Sequence, residues 1–120
     1  MGLDQYVNGY DDNGEHIVDL YYRKINWLRN WIINNTKLTH DSNCEEVEIP
    51  SSKIKELVDL CNYVLEHKEE AENKLPILKG CFFGIYDYSD WYFDTVKEVR
   101  DDMEKALEHG AEQLYYEDWW

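Results

Sequence analysis

Residues 75–102, LPILKGCFFGIYDYSDWYFDTVKEVRDD, decide how the rest of the chain is read. Pro76, Gly80 and Gly84 punctuate the stretch, because proline and glycine end regular elements at defined backbone positions. Between the glycines, Cys81, Phe82 and Phe83 form an unbroken apolar run, expected to be a strand covered on both faces. Beyond Ser89 the spacing predicts a helix. Tyr92, Val96, Val99, Met103, Ala106 and Leu107 fall on one stripe, and Val96, Val99, Met103 and Leu107 are expected to face a sheet. Asp90, Asp94, Glu98, Asp101, Glu104 and Glu108 fall on the opposite side. Asp87 or Ser89 is the expected cap, Asp90 suits the positive end of the helix dipole, and Gly110 is the expected stop.

Upstream of this unit, Leu3 to Tyr10 alternates loosely and Glu15 to Tyr22 is rich in β-formers. Asp11-Asp12-Asn13-Gly14 lies between them, and Asn-Gly is a strong hairpin signal because both residues accept positive φ. Arg23 to Asn34 reads as a helix with Ile25, Leu28 and Ile32 on one face and Trp27 and Trp31 at its edge. That arc is wider than a surface helix needs. Either both sides of the helix are covered, or the tryptophans form a contact site. Glu45 to Ile49 alternates as a short strand closed by Pro50. Ser51 or Ser52 is expected to cap the next helix, in which Ile54, Leu57, Val58, Cys61, Val64 and Leu65 keep the i, i+3, i+4, i+7 rule. Residues 66–74, EHKEEAENK, read as a solvated helix end and loop. The closing segment, residues 111–120, admits a strand, a helix or a tail that docks on a partner. The expected fold is a single α+β domain over residues 1–120. It has a small, mostly antiparallel sheet (an N-terminal hairpin plus two short strands) packed with three helices.

Composition narrows the function. The chain of 120 residues is long enough to bury a core without disulfides or metal. Three cysteines without CxxC spacing and four scattered histidines give no zinc pattern. His40 and Cys44 have no second ligand pair, so no metal and no cofactor is expected. The absence of a membrane-length apolar run or a leader pattern predicts a cytoplasmic protein. The formal net charge is −14, and residues 81–120 carry eleven acids against three bases. Direct binding to nucleic acid needs clustered Lys and Arg and is therefore disfavoured. The asymmetry points to a basic protein partner engaged by the C-terminal half.

Enzyme signatures such as GxGxxG, the P-loop, HExxH and GxSxG are absent, so no enzyme is expected and no catalytic residue is assigned. The acidic helix face is the more specific feature. Like charges at i,i+4 oppose helix stability by about 0.2–0.5 kcal/mol per pair, which fits either selection for a negative surface or plain solvation. Carboxylates one turn apart sit about 5–6 Å from each other along the axis, against about 3.4 Å between phosphates on one DNA strand. Mimicry of nucleic acid would therefore need a second acidic row, from Glu66, Glu69, Glu70 and Glu72 or from Glu45, Glu46 and Glu48.

The order of short motifs resembles a family of small phage and prophage proteins of uncharacterised function. The matching residues are the opening Met1-Gly2-Leu3-Asp4-x-Tyr6; Tyr22-Arg23-Lys24-Ile25-Asn26 followed by Trp31; Cys44-Glu45 before a short strand; Leu75-Pro76; the Gly80 to Gly84 bracket; and Tyr86 to Tyr92. Arg29 departs from the family, standing where many relatives have histidine, and Ile77-Leu78-Lys79 replaces a Thr-containing linker. The resemblance implies a phage accessory product and carries no catalytic residues.

Taken with the negative surface, it leads to an expected inhibitor of a host defence effector, of anti-CRISPR or another anti-defence type. Such a protein would act in the host cytoplasm by binding a basic effector through Asp90, Asp94, Glu98, Asp101, Glu104 and Glu108. The alternative is a homo-oligomeric assembly protein, such as a homodimer, using aromatic surfaces at Trp27, Trp31, Trp119 and Trp120.

Overall fold

β1 (Asp4–Tyr10) and β2 (His16–Arg23) form the expected hairpin. Asp11 Oδ1 accepts the backbone N–H groups of Asn13 and Glu15, each at 2.9 Å. Only Gly14 of the Asn-Gly pair takes a positive φ, at 82°. The aspartate side chain thus organises a loop longer than the two-residue turn that Asn-Gly suggests. The computed structural model describes residues 2–79, 84 and 86–120. The strand expected at Cys81–Phe83 lies outside the described residues.

β2 pairs with β1 as far as Arg23, and Lys24 then turns at a φ of 61°. Helix α1 (Asn26–Asn35) therefore begins three residues later than the periodicity suggests. β3 (Glu46–Pro50) runs straight into α2 (Ser51–Glu66), with Pro50 in the cap position. Ser51 and Ser52 lie in the first turn instead of capping it, because no loop separates strand from helix. A 3-10 turn (Lys68–Glu70) and the one-turn helix α3 (Ala71–Lys74) follow.

Helix α4 (Asp90–Glu108) has Ser89 at its N-cap position, without a side-chain cap bond. Its end is built as expected. Gly110 adopts a φ of 87°, its N–H bonds Leu107 O at 3.1 Å, and the Ala111 N–H bonds Ala106 O at 3.0 Å. These two bonds satisfy carbonyls that a helix end otherwise leaves orphaned.

β4 (Gln113–Trp119) lies between β1 and β3 and pairs antiparallel with both, giving the sheet order β2-β1-β4-β3. The readings left open for residues 111–120 close on this strand. Among the described residues the fold is α+β, with one antiparallel sheet, three long helices and the short α3.

Strand alternation separates the two faces of the sheet. Val7 and Gly9 of β1, Val18 and Tyr22 of β2, Ile49 of β3, and Leu114 and Tyr116 of β4 are buried on the inner face. The helices supply the rest of the core: Leu28 and Ile32 from α1, Ile54, Leu57, Cys61 and Val64 from α2, and Val96, Val99 and Met103 from α4. Leu107 packs against this core half-buried. α2 and α4 run antiparallel. Arg100 Nη1 donates to Asn62 Oδ1 at 3.1 Å, and further along the pair Lys68 Nζ sits 5.0 Å from the Phe93 ring centre. On the outer face of the sheet, the side chains of β1 and β4 remain half-buried or exposed.

Candidate functional site

The six carboxylates singled out on α4 lie on its outer side, about 27 Å from first to last at 1.5 Å per residue. Asp90, Asp94, Glu98, Asp101 and Glu108 are exposed and Glu104 is half-buried. The opposite side of the helix carries Tyr92, Val96, Val99, Met103 and Ala106, all buried. Asp101 is not available in the way the others are, since Arg100 Nη2 and Nε both donate to its Oδ1, at 2.8 and 3.0 Å. Burial, and then the nearby Asp102, push the Glu98 carboxyl above its ordinary range. Asp102 itself accepts a 2.7 Å bond from the Tyr22 hydroxyl, which ties α4 to β2.

Of the two possible second rows, Glu66, Glu69 and Glu72 are exposed. Lys68, which lies between Glu66 and Glu69 in the sequence, meets Phe93 in the N-terminal half of α4. Glu46 and Glu48 stand instead on the outer face of the sheet, paired across from Glu117 and Tyr115.

Two of the aromatic candidates are not surface features. Trp27 is 1% exposed, and its Nε1 donates to Thr95 Oγ1 at 2.9 Å. Trp31 is also buried. Both sides of α1 are covered, which accounts for its wide apolar arc. Trp119 and Trp120 are exposed, but Trp120 is held in place. Its Nε1 donates to Ser42 O, its backbone N–H and C=O both bond the Asn43 side chain, and its ring stacks over the Arg29 guanidinium.

Under Trp120 lies a buried polar network that sequence periodicity does not reveal. Arg29 Nε donates to Asp118 Oδ2 at 2.8 Å, Arg29 Nη2 to Ser42 O at 2.8 Å, and the Tyr116 hydroxyl to Asp118 Oδ2 at 2.7 Å. Gln5 Nε2 donates to Tyr116 Oη and to Ile25 O, each at 2.9 Å, and Gln5 Oε1 accepts the Ile25 N–H. Desolvation pushes the Asp118 carboxyl upward, while Tyr116 and Arg29 pull it back. Burial raises the Tyr116 phenol strongly. This network joins β1, β4, α1 and the loop before β3. Asp118 Oδ2 accepts from both Arg29 and Tyr116, while Asp118 Oδ1 is buried without a hydrogen-bond partner among the described residues.

A cleft of about 690 Å³ opens between α1, α2 and the segment around α3, with Asn30, Asn34, Asn35, Asn73, Glu56 and Asp59 on its walls. Asn30, Asn35 and Asn73 already donate to Pro76 O, Trp31 O and Glu70 Oε2. No serine, cysteine or histidine lines the cleft among the described residues; its ionisable side chains are Glu56, Asp59, Tyr63 and Lys74. His40 and Cys44 are exposed, and no group of three potential metal ligands occurs among the described residues. No described helix is long and apolar enough to cross a membrane. Comparison of the chain with protein-family models, curated proteins and solved structures gives no match.

Proposed function

We propose that this protein is a phage accessory product that inhibits a nucleic-acid-handling defence effector in the host cytoplasm, binding its basic groove stoichiometrically. The reading is supported above all by the outer side of α4, where Asp90, Asp94, Glu98 and Glu108 are exposed on a rigid helix and take no part in the core. Among the described residues none of these four is in an ion pair. Glu66 and Glu69, exposed on either side of Lys68 where it meets Phe93 of α4, are the candidates for the second acidic row that the density of a nucleic-acid backbone requires. The correction at Asp101, already paired with Arg100, moves the weight of the proposal to Asp94 and Glu98.

The test is capture of basic nucleic-acid-binding proteins from bacterial host lysate by wild type and by the double variant Asp94→Lys/Glu98→Lys. Exposed charges contribute little to folding, so the variant should keep the wild-type melting temperature. It should lose the captured partner at physiological salt, through slower association. A partner retained equally by the variant, and equally in high salt, would remove the α4 face from the mechanism.

A further inference from the structure

On the side of the molecule away from the helices, the outer face of the sheet carries Tyr6, Asn8 and Tyr10 from β1, and Tyr115, Glu117 and Trp119 from β4. Tyr21 of β2 stands directly across from Tyr6. Two aromatic groups result. Tyr6 packs 5.3 Å from Tyr21 and 6.1 Å from Trp119, ring centre to ring centre. Tyr10 packs 5.9 Å from Tyr115 and 5.2 Å from His16, beside a shallow depression of about 420 Å³ that Glu46 and Gln113 also line. Tyr6 and Tyr10 stand four positions apart on β1, about 13 Å along the strand.

Tyr21 and Trp119 are 55% and 50% exposed. Helices fill the inner face, so nothing among the described residues explains a double aromatic cluster on the outer one. Its charge is one-sided. Asp4, Asp19, Glu46, Glu48 and Glu117 stand on it against Arg23 and His16, and none of the five carboxylates is in an ion pair among the described residues. Glu46 and Glu117 are direct cross-strand partners, an arrangement that is destabilising for the sheet itself. Two carboxylates are oriented by the aromatics: the Tyr21 hydroxyl donates to Asp4 Oδ1 at 2.6 Å, and Trp119 Nε1 donates to Glu117 Oε1 at 2.8 Å.

We infer that this face docks an arginine-bearing segment of a partner protein. Guanidinium groups would stack on Tyr6, Tyr21 and Trp119 and bond the Asp4 and Glu117 carboxylates at the ring edges. Aromatic faces attract cations, and carboxylates accept the guanidinium fork in parallel bonds. Lysine matches only the charge and not the planar stacking. A single-stranded nucleic acid would find stacking platforms but no cationic groove to hold its phosphates. A second copy of this face would oppose like charges. The inference does not rest on the α4 reading, since it uses no residue of α4.

The experiment titrates the ¹⁵N-labelled full chain with a ten-residue arginine-rich peptide, its lysine counterpart and a ten-nucleotide single-stranded DNA. The expected result is binding of the arginine peptide, several-fold tighter than the lysine peptide, with shifts at Tyr6, Tyr21, Glu117 and Trp119. Tyr21→Ala and Trp119→Ala should each weaken it two- to fivefold, in line with exposed cation–π contacts. Glu117→Gln, which keeps size and hydrogen bonding, serves if an alanine variant unfolds, and should also weaken the arginine peptide. Shifts confined to Asp94 and Glu98 would overturn the inference and leave the α4 reading standing. Equal affinity for the two peptides, tighter binding of the DNA, or a dimer that Trp119→Ala dissociates would each overturn it as well.

Discussion

Arg29 on α1 and Asp118 on β4 meet at 2.8 Å, with side chains 1% and 0% exposed. A buried pair of this kind gains little over a well-packed apolar pair, yet breaking it strands a charge in the core at a cost of about 3–5 kcal/mol. Arg29→Met and Asp118→Leu should therefore each lower stability by about that amount. The double variant should lose far less than the sum of the two. Urea unfolding of all four proteins measures the coupling, and additive losses would mean that the pair does not act as a unit.

Trp120 covers this pair. Its ring lies 5.5 Å from the Arg29 guanidinium carbon, and its Nε1 bonds Ser42 O at 2.6 Å. Trp120→Ala removes a cation–π contact and a hydrogen bond, together about 1–3 kcal/mol. A lower melting temperature is expected, with faster exchange of the Arg29 side-chain protons. Unchanged exchange would show that the loop before β3, not Trp120, keeps water out.

The same network shows where the sequence could and could not be read. α2 and the stripe of α4 were legible because their inward positions, Thr95 excepted, are apolar, and Gly110 because glycine accepts the left-handed backbone that ends the helix there. β4 was not. Its inward positions are Leu114, Tyr116 and Asp118, and a carboxylate at the third spoils the alternation that marks a strand. Asp118 is admissible only because Arg29, 89 residues away, meets it. Arg29 likewise looks misplaced on α1 when read alone. The central place of β4 depends on pairing between the two ends of the described chain, which no local pattern encodes. On α4 the exposure of the acidic row was legible from periodicity, while the pairing of Asp101 with its neighbour Arg100 depends on side-chain conformation. The outer sheet face joins residues from four strands, and it takes shape only once their order is fixed.

Two glycines separate conformational strain from crowding. Gly110 has a φ of 87° with open space where a side chain would go, so Gly110→Ala should cost about 1–2 kcal/mol for the left-handed backbone alone. Gly84 has a φ of 107°, and a Cβ there would stand 2.8 Å from Lys24 Cβ and 2.9 Å from Lys24 O. Gly84→Ala adds a clash with backbone to the same strain and should be clearly the more destabilising. Equal losses in chemical unfolding would show that the Gly84–Lys24 contact yields freely.

Alkaline pH should unfold the protein through its buried acids. Desolvation pushes the Cys61 thiol up to about 12. It also raises the Tyr22, Tyr92 and Tyr116 phenols above their ordinary value. In each case the folded state keeps its proton after the unfolded chain has released it. Stability is therefore undiminished below the ordinary values of 9.0 for the thiol and 10.0 for the phenols. Above them it falls, by about 1.4 kcal/mol per pH unit for each group. The urea midpoint should hold steady from pH 7 to about 9, decline gently while only the thiol contributes, and steepen beyond 10 as the three phenols join. Cys61→Val keeps the side chain apolar and similar in size, and should abolish the first decline while leaving the second. A decline between pH 9 and 10 that survives this substitution would show that the Cys61 thiol is not its source.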